Sequence, residues 1–380
     1  MRVGILGAGQ LAQMLTEAGT RLGMSHVLLA PEHDACAASC GVFVHGDYDD
    51  PHALSRFSEH ADVATFEFEN VPTHAVEWLE DRIPVRPSAE VLRIAQDRLR
   101  EKETFRRLGI PVPRFEAINT LLELQHHAEA VGLPAVLKTR TLGYDGKGQA
   151  IVRDTRAESL QRAWRAIGGT PAILEELVPF DRELSVIGTQ SPDGEQVFYS
   201  LNENVHREGI LRLTMARATD PQREIAEEYA RRLLVEFGYV GTLALELFEV
   251  EGGLLANEMA PRVHNSGHWT IEGAETSQFE NHMRAVCGLP LGGTLQHRAA
   301  AMVNLIGTLP AVHDVLAIPD AHLHVYGKAE RPGRKVGHIT LIDHANNSVE
   351  FNTRVARALE LAGEDAAAYA LTLRESQRGA

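Results

Sequence analysis

The segment NEMAPRVHNSGHWT, residues 257–270, holds an unusual density of side chains that can do chemistry. Its fourteen residues include one acid, one arginine, two asparagines and two histidines. A core strand carries almost none of these residue types, because each buried polar group needs a partner. The segment continues the stretch TLALELFEVEGGLLA, whose alternating apolar residues predict a β-hairpin. We therefore expect a functional site at the end of this hairpin.

The hairpin pattern also brings two acids together. If residues 251–253 form a three-residue loop with a glycine in the left-handed region, Val250 lies opposite Leu254. That register predicts that Glu246 lies directly opposite Glu258, with the two side chains about 5 Å apart. Oxygen ligands of this kind suit a shared Mg²⁺ ion. The alternative is an exposed pair of glutamates on a solvated face.

Three other segments carry groups suited to phosphate or a nucleotide. The loop GYDGKGQ, residues 143–149, can close over phosphates through its N–H groups and Lys147, although such sequences also form ordinary turns. Lys138 ends an apolar strand, where a phosphate contact and a solvated end are both possible. The segment GKAERPGRKVGH groups four basic residues around a Pro-Gly turn. It is either a phosphate site or a solvated basic loop.

An α/β fold must position these segments. Strand patterns alternate with helices over roughly residues 1–95 and predict a parallel, doubly wound sheet. Its turn GAGQLA has Ala12 where a dinucleotide fingerprint has a third glycine, so it favours a turn whose N–H groups meet some anion. A charged helix closed by Gly109 begins the next section. Residues from about 296 onward form a smaller mixed unit.

Composition narrows the class of protein. The net charge of −15 argues against a general binder of nucleic acid or anionic membranes. No apolar stretch approaches the ~18 residues of a membrane helix, and the N-terminus does not resemble a signal peptide. Three cysteines without paired spacing favour a cytosolic protein without a disulfide framework or zinc site. Only five of the 37 basic residues are lysine, which hints that a compact ammonium is required at those positions.

Taken together and in this order, the segments resemble the ATP-grasp superfamily, and more narrowly the N5-carboxyaminoimidazole ribonucleotide synthetase family. The resemblance is carried by GQLAQML, TFEFENVP, KTRTLGYDGKGQ, NEMAPRVHNSGHWT, MVNLIG and RPGRKVGH, which span nearly the whole chain. It implies an α/β ATP-grasp fold with three parts. These are an N-terminal doubly wound (pre-ATP-grasp) domain, residues 1–95, that binds substrate; an ATP-grasp domain, 96–295, with a lid subdomain at about 110–175; and a small C-terminal mixed domain, 296–380, that completes the substrate phosphate site.

The resemblance also implies a reaction. The family uses ATP and bicarbonate, without biotin, to carboxylate the exocyclic amine of 5-aminoimidazole ribonucleotide through carboxyphosphate, releasing ADP and phosphate. Two magnesium ions are expected, on Glu246 and Glu258. The implied ATP contacts are Arg98 and Lys138 at the phosphates, Tyr144, Asp145, Gly146, Lys147, Gly148 and Gln149 in the lid, Glu175, Glu176, Leu177 and Val178 at adenine, Glu183 at ribose, and His206, Asn257 and Glu258 nearby.

The remaining implied roles concern the substrates. Gln10, Leu11 and Glu69 would meet the imidazole nucleotide, and Lys328, Arg334 and Lys335 its phosphate, with Lys328 also counted as catalytic. Arg262, His264 and Asn265 would surround bicarbonate and the carboxyphosphate, whereas His268 and Trp269 are expected to be a packed structural pair. No role can be assigned to residues 139–142.

Two alternatives remain open. One is a formate-dependent glycinamide ribonucleotide transformylase, which has the same superfamily fold. The other is a non-catalytic nucleotide sensor, which should lack a metal acid or the lid lysine; this chain has both. A cytoplasmic homodimer is expected, and since a chain of 380 residues leaves no room for a fused mutase, the product is expected to pass to a separate mutase.

Overall fold

The N-terminal part of the chain is a parallel α/β layer. The computed structural model describes residues 1–143, 148–344 and 347–375. The first elements are β1 (Arg2–Leu6), α1 (Gln10–Arg21), β2 (Ser25–Ala30), β3 (Val42–His45), α2 (Pro51–His60), β4 (Val63–Phe66) and α3 (Thr73–Glu80). The strands pair in parallel in the order β3-β2-β1-β4, so the predicted doubly wound sheet is confirmed.

Helices cover both faces of this sheet, because side chains alternate between the faces along each strand. On one face, Val3 and Ile5 of β1 belong to the same buried cluster as Leu15 of α1. On the other face, Val27 of β2 packs with Phe57 of α2. The turn between β1 and α1 is thereby held in a fixed position.

Helices α4 (Ala89–Ala95) and α5 (Arg98–Arg107) lead into the rest of the chain. Asp97 caps α5, since its carboxylate accepts the backbone N–H of Leu99 at 3.0 Å. Gly109 adopts a φ of +69° just after the helix, as the sequence predicts for a glycine that closes it.

A small antiparallel sheet follows. Its elements are β5 (Phe115–Ile118), α6 (Leu121–Val131), β6 (Ala135–Thr139), β7 (Gln149–Val152), α7 (Ala157–Ala166) and β8 (Ala172–Glu176). The strand order is β5-β8-β6-β7, and Lys138 pairs with Gln149 across the predicted strand–loop–strand unit. Leu124 of α6 and Leu160 of α7 pack with Leu137 of β6, so the helices cover the sheet.

The central sheet contains the remaining strands. Its elements are β9 (Arg182–Gln190), β10 (Gln196–Phe198), β11 (Leu201–Arg207), β12 (Ile210–Arg217), α8 (Arg223–Glu236), β13 (Gly241–Val250), β14 (Gly253–Ala260), α9 (Thr270–Gly273), α10 (Gln278–Val286), β15 (Ala300–Ile306), α11 (Val312–Leu316), β16 (Ala321–Val325), β17 (Lys335–Ile342), α12 (Ser348–Leu361) and α13 (Ala370–Glu375). Short 3₁₀ helices lie at Ala38–Cys40, Asn265–Gly267 and Ala366–Tyr369.

The strands of this sheet run in the order β14-β13-β9-β11-β12-β15-β17-β16, with β10 beside β9. β12 pairs directly with β15, so the sheet continues from the predicted ATP-grasp domain into the C-terminal unit. β14 lies at one edge. Among the described residues, no helix is both long and apolar enough to cross a membrane.

The β13–β14 hairpin has a shorter turn than predicted. Val250 pairs with Gly253, not with Leu254, so the prediction of a three-residue loop is wrong. The two-residue turn consists of Glu251 and Gly252, with φ values of +50° and +76°. Positive φ at both central residues is typical of a type I′ turn, whose twist matches that of the paired strands.

A β-bulge then offsets the shorter turn. The pairing shifts between residues 245 and 247 of β13, and the extra residue lies in β14. Asn257 and Glu258 therefore both oppose Glu246. The bulge compensates for the missing turn residue, so Glu258 still lies opposite Glu246.

Candidate active site

A cleft of about 740 Å³ lies where the N-terminal layer, the small antiparallel sheet and the central sheet meet. It is lined by groups from all three parts of the chain. The residues singled out by the sequence that line it are Gln10, Leu11, Glu69, Arg98, Lys138, Gln149, Glu183, His206, Glu246, Asn257, Glu258, Arg262, His264, Asn265 and Lys335. Side chains far apart in the sequence thus share one cavity.

Two acids of this cleft, Glu246 and Glu258, lie at the bulge. Glu258 accepts a hydrogen bond from Arg98 Nη1 at 2.8 Å. Glu246 Oε1 lies 3.2 Å from Nε2 of His264. Burial raises the pKa of Glu246, but the hydrogen bond and charge of His264 outweigh it, and the pKa lies below the usual range. Glu246 is therefore held as a carboxylate.

The donor set at the bulge fits a hard divalent cation. Two carboxylates and the amide of Asn257 offer oxygen atoms, which Mg²⁺ prefers. Among the described residues, no group of three or more His, Cys, Asp or Glu side chains is arranged to hold a metal ion. A cation bound to Glu246 and Glu258 would therefore need further oxygen ligands from a nucleotide's phosphates or from water.

The ring of His264 is engaged on both sides. The backbone N–H of Ser266 donates to Nδ1 at 3.4 Å, and the Ser266 hydroxyl lies 2.8 Å from the same atom. Nδ1 thus faces Ser266, and Nε2 faces Glu246. Ser185 contacts the Ser266 hydroxyl at 2.7 Å and extends this network into the sheet.

Asn265 is fixed by a second amide. Its Nδ2 donates to Oδ1 of Asn304 at 3.1 Å, and Asn304 Nδ2 donates back to Asn265 Oδ1 at 2.7 Å. Asn304 also donates to the carbonyl of Leu211 at 2.9 Å. The reciprocal pair holds Asn265 at the edge of the cleft.

An ion pair joins the N-terminal layer to the segment after β14. Nε of Arg262 donates to Oε2 of Glu69. Burial raises the pKa of Glu69, but the Arg262 guanidinium outweighs it and lowers the pKa to about 2. Arg262 also donates to the carbonyl of Val263 at 3.1 Å. A fixed cation therefore lies at the junction of the two parts.

Next to Glu246 on the central sheet, the lining of the cleft combines charged and aromatic groups, and Glu183 of β9 pairs with Phe248 of β13. Glu183 Oε2 lies 2.8 Å from Nδ1 of His206. Phe180 and Phe248 stack with their ring centroids 4.9 Å apart. An apolar face next to an acid suits a flat heteroaromatic ring joined to a polar sugar.

Comparisons with known proteins identify the family of this chain. Three family models match in order: the ribonucleotide synthetase preATP-grasp domain over residues 1–96, the ATP-grasp domain over 103–279, and the phosphoribosylaminoimidazole carboxylase C-terminal domain over 300–351. N5-carboxyaminoimidazole ribonucleotide synthase of Pseudomonas aeruginosa is 53% identical over 341 residues, which cover 90% of this chain and 94% of that protein. The chain belongs to the N5-carboxyaminoimidazole ribonucleotide synthase family.

Solved structures of relatives share the whole fold. The crystal structure of N5-carboxyaminoimidazole ribonucleotide synthetase from Thermus thermophilus is 51% identical, with a TM-score of 0.89 over 94% of this chain and 98% of that one. The Aspergillus clavatus synthase in complex with ADP and 5-aminoimidazole ribonucleotide is 31% identical, with a TM-score of 0.87 over 95% and 98%. The predicted ATP-grasp ligase fold is confirmed.

Some residues that the resemblance assigned to ATP are not among the described lining residues of the cleft. The carboxylate of Glu175 is buried and accepts from Lys138. Glu176 accepts from Nε of Arg114 at 2.8 Å, and the side chain of Leu177 is exposed. Val178 is half-buried and Gly148 also lies outside the lining, whereas Tyr144, Asp145, Gly146 and Lys147 are outside the described residues.

The basic loop before β17 approaches the site from the C-terminal unit. Lys328 Nζ donates to Oε1 of Gln10, which lines the cleft. Lys335 lines it directly. Arg334 donates to the carbonyl of Ala329 at 3.3 Å and is not among the described lining residues. The loop thus meets the first turn of α1.

Sequence reasoning missed the carboxylate that partners the glycine turn. Glu67, which is buried, accepts the backbone N–H groups of Gly9 and, at 2.8 Å, of Ala12. The partner of these N–H groups is therefore an internal carboxyl group. The signal was present in TFEFENVP, where an acid follows directly on the apolar strand β4.

Three further neighbours of the site were not predicted from the sequence: Glu101, Lys102 and Arg140. Glu101 and Arg140 line the cleft, and Lys102 is buried behind it. Glu101 and Lys102 stand three and four residues after Arg98, so they share its face of a helix. That spacing was the available signal.

Of the expected packed pair His268 and Trp269, only Trp269 has a hydrogen-bond partner for its ring among the described residues. Trp269 is buried and its Nε1 donates to Oδ1 of Asn202 at 2.7 Å, as expected for a structural residue. His268 is also buried, but neither of its ring nitrogens has a hydrogen-bond partner among the described residues. Burial lowers the pKa of His268 well below its usual value, so the ring is neutral.

Proposed function

We propose that this chain carboxylates the exocyclic amine of 5-aminoimidazole ribonucleotide, consuming ATP and bicarbonate. The observation that carries the proposal is the single cleft that unites the acids of the bulge, Lys138 on the nucleotide side, and Arg262 beside His264. The relative from Aspergillus clavatus was solved with ADP and 5-aminoimidazole ribonucleotide. A shared fold at this coverage supports the same pair of ligands here.

In this proposal, ATP enters from the side of the small antiparallel sheet. Lys138 and Arg98 contact its phosphates, Glu183 contacts the ribose, and the backbone of residues 175–178 faces the adenine beside Phe180. The lid that excludes water is assigned by resemblance to residues 144–149, of which 144–147 lie outside the described residues. Excluding water matters because carboxyphosphate hydrolyses readily.

Glu246 and Glu258, with Asn257 beside them, would hold the magnesium ions. Bound there, the metal would offset negative charge on the nucleotide's phosphates. Support comes from the chemistry of the donor set and from the carboxylate state of Glu246. The arginines on either side, Arg98 and Arg262, supply further positive charge.

The chemistry then proceeds in two transfers. A bicarbonate oxygen attacks the γ-phosphorus, forming a new P–O bond while the bond to the β-phosphate oxygen breaks and ADP leaves. The amine nitrogen next attacks the carboxyl carbon of carboxyphosphate, the C–O bond to phosphate breaks, and the departing phosphate takes up the proton that the amine loses. Arg262 offsets the charge that develops in the first transfer. Holding carboxyphosphate beside the amine replaces a bimolecular encounter.

We assign His264 to holding Glu246 and lining the bicarbonate pocket with Asn265. Both of its ring nitrogens are already engaged. A role as general base would require the contact with Glu246 to break. Gln10, Leu11 and Glu69 would contact the imidazole nucleotide. Its phosphate would be bound by Lys328, Arg334 and Lys335.

The proposal extends to the cellular setting. We propose a cytoplasmic homodimer whose product passes to a separate mutase. The support is the implied family pattern and the three free cysteines, which suit a reducing compartment.

The test measures ADP release from Mg-ATP with 5-aminoimidazole ribonucleotide, with and without bicarbonate, and with glycinamide ribonucleotide plus formate. We expect turnover that requires the imidazole nucleotide and carboxylated product that requires bicarbonate. Turnover only with the glycinamide pair would favour the transformylase, and ATP binding without turnover would favour a sensor.

A variant tests the metal ligands within the same assay. Glu258→Gln keeps the shape of the side chain but weakens an oxygen ligand, so we expect magnesium-dependent turnover to fall at least ~100-fold with the fold intact. Gln196→Glu exchanges an amide and an acid on β10, a strand remote from the bulge, and serves as the control variant. Unchanged turnover of Glu258→Gln at limiting magnesium would contradict the assignment.

A further inference from the structure

Helix α5 presents three charged side chains on one face to strand β14. Arg98, Glu101 and Lys102 are spaced i, i+3 and i+4, which places them side by side on a helix. β14 is the edge strand of the central sheet, so within the described part of the chain no strand pairs with its outward backbone groups. Side chains of α5 supply partners to these groups.

Two of these contacts bracket the bulge that carries the proposed metal ligands. Just after the bulge, the backbone N–H of Met259 donates to Glu101 Oε1 at 2.7 Å. Just before it, Lys102 Nζ donates to the carbonyl of Ala256 at 3.1 Å. Between them, Glu258 itself accepts from the first residue of the helix. The face of α5 therefore fixes the shape of the bulge.

Lys102 also faces the small antiparallel sheet. Its side chain is 2% exposed, and Nζ lies 3.3 Å from Oε1 of Glu175 on β8. The other oxygen of Glu175 accepts from Lys138 on β6. Burial raises the pKa of Glu175, but the two ammonium groups outweigh it and lower the pKa to about 2. Glu175 is thus a carboxylate shared by two lysines.

A second connection lies at the start of α5. Asp97, the cap of the helix, accepts from Nε of Arg140 at 3.1 Å. The backbone N–H of Arg98 donates to the carbonyl of Arg140 at 2.9 Å, and its Nη2 donates to the carbonyl of Gly143 at 3.2 Å. Residues 139–142, to which the sequence assigned no role, are therefore tied to the same helix.

We propose that Lys102 is a positioning residue for Mg-ATP. Through the shared carboxylate of Glu175, Lys102 holds the bulge, with Asn257 and Glu258, in a fixed position relative to Lys138. The inference rests on the proposed function in one respect, that ATP binds in this cleft. Lys102 itself does not touch the nucleotide. It joins two elements that each supply part of the nucleotide site.

The residue type supports this role. The chain uses lysine at only five positions, and one of them is this buried site. A compact ammonium can approach the Ala256 carbonyl and the Glu175 carboxylate together, whereas the planar guanidinium of arginine needs more room. If the ion pair served only stability, lysine would not be required here, since well-packed apolar side chains in place of a buried ion pair often give equal stability.

The test is calorimetric titration of the full chain with ADP in the presence of magnesium, which requires no turnover. Lys102→Met keeps the length and removes the charge. We expect its affinity for Mg-ADP to fall at least about tenfold. Because Glu175 keeps Lys138 as a partner, the variant should still unfold cooperatively, at a lower temperature than the wild type. Arg106→Met removes one charge from the same helix, where Arg106 lies over the Phe115 ring, and should stay within roughly twofold.

A double-mutant cycle shows whether Lys102 acts through its neighbour. If it does, Lys102→Met added to Lys138→Met should cost little further affinity, because Lys138 no longer needs positioning. Steady-state kinetics should show a raised KM for ATP and an unchanged KM for the imidazole nucleotide. A merely structural role would not produce this division.

Three results would overturn the inference: wild-type affinity in Lys102→Met, an equal loss in Arg106→Met, or fully additive losses in the cycle. Should Lys102→Met fail to fold, Glu175→Gln applies the same test while both lysines stay in place. Wild-type affinity of that folded variant would also overturn the inference. The titration measures ADP binding alone. If the wild type binds ADP but does not carboxylate the imidazole nucleotide, the proposed function is contradicted, whereas the positioning role of Lys102 is not.

Discussion

The stability of this protein should depend on pH through His282, which is buried as a neutral imidazole. The residue is fully buried on α10. The backbone N–H of Thr242 donates to its Nδ1 at 3.0 Å, so the ring hydrogen is on Nε2, 2.8 Å from the hydroxyl of Thr65. A proton on Nδ1 would face another N–H. Burial lowers the pKa of His282 to about 4.

The size of the effect follows from linkage. In the unfolded chain the pKa returns to about 6.5, so between about pH 6.5 and pH 4 the unfolded state binds one more proton than the folded state. The contribution of His282 is therefore complete above pH 6.5 and is lost as the pH falls toward 4. Each pH unit in this window is worth about 1.4 kcal/mol, which gives roughly 2 kcal/mol lost at about pH 5.

The assay is urea unfolding at about pH 7.5 and about pH 5 for the wild type and for His282→Gln, whose amide can replace both hydrogen bonds but does not titrate. We expect the loss of unfolding free energy at low pH to be smaller by roughly 2 kcal/mol in the variant. His313→Gln is the matched control, because that side chain is 92% exposed. An identical pH dependence in His282→Gln and the wild type would refute the reasoning.

Two further predictions concern residues beside the site. Gly9→Ala would place a Cβ atom 2.7 Å from Glu67 Oε1 and displace the carboxylate, so we expect a loss of about 1–3 kcal/mol in urea unfolding, whereas Gly253→Ala, which meets only one atom at 3.6 Å, serves as the control. Trp269→Phe leaves Asn202 Oδ1 without its donor and opens a small cavity, so we expect thermal unfolding to report a loss of roughly 2–4 kcal/mol. A stability equal to the wild type in either variant would contradict the corresponding contact.

The fold and the gathering of the site follow largely from local patterns. The alternation of strands and helices over the first ninety or so residues predicts the parallel layer, and the alternating residues of β13 and β14 predict their hairpin. The turn between them was misjudged because Glu251 adopts a positive φ, which the sequence does not favour in a residue other than glycine. The bulge that compensates for it has no local signal at all.

Charge partners over long sequence distances were the part that could not be predicted. The sequence predicts that the glycine turn of α1 meets an anion, and in the structure its N–H groups donate to the buried carboxyl group of Glu67, more than fifty residues away. Similarly, the resemblance places Glu175 at adenine, which stays a prediction, whereas the pairing of its carboxylate with Lys102 and Lys138 has no signal in the sequence. Spacing reveals which residues share a helix face or a strand face, and only the tertiary fold decides which faces meet.

The location of the acids on an edge strand connects stability and chemistry in this protein. A bulge at a sheet edge turns Asn257 and Glu258 toward the cleft but interrupts the ladder there. The interrupted strand is then held by side chains of α5, two of which are themselves charged neighbours of Glu258. The same contacts that repair the strand thus set the electrostatic environment of the proposed metal ligands. Substitutions on this face of α5 should therefore change ligand binding more than their effect on folding alone would require.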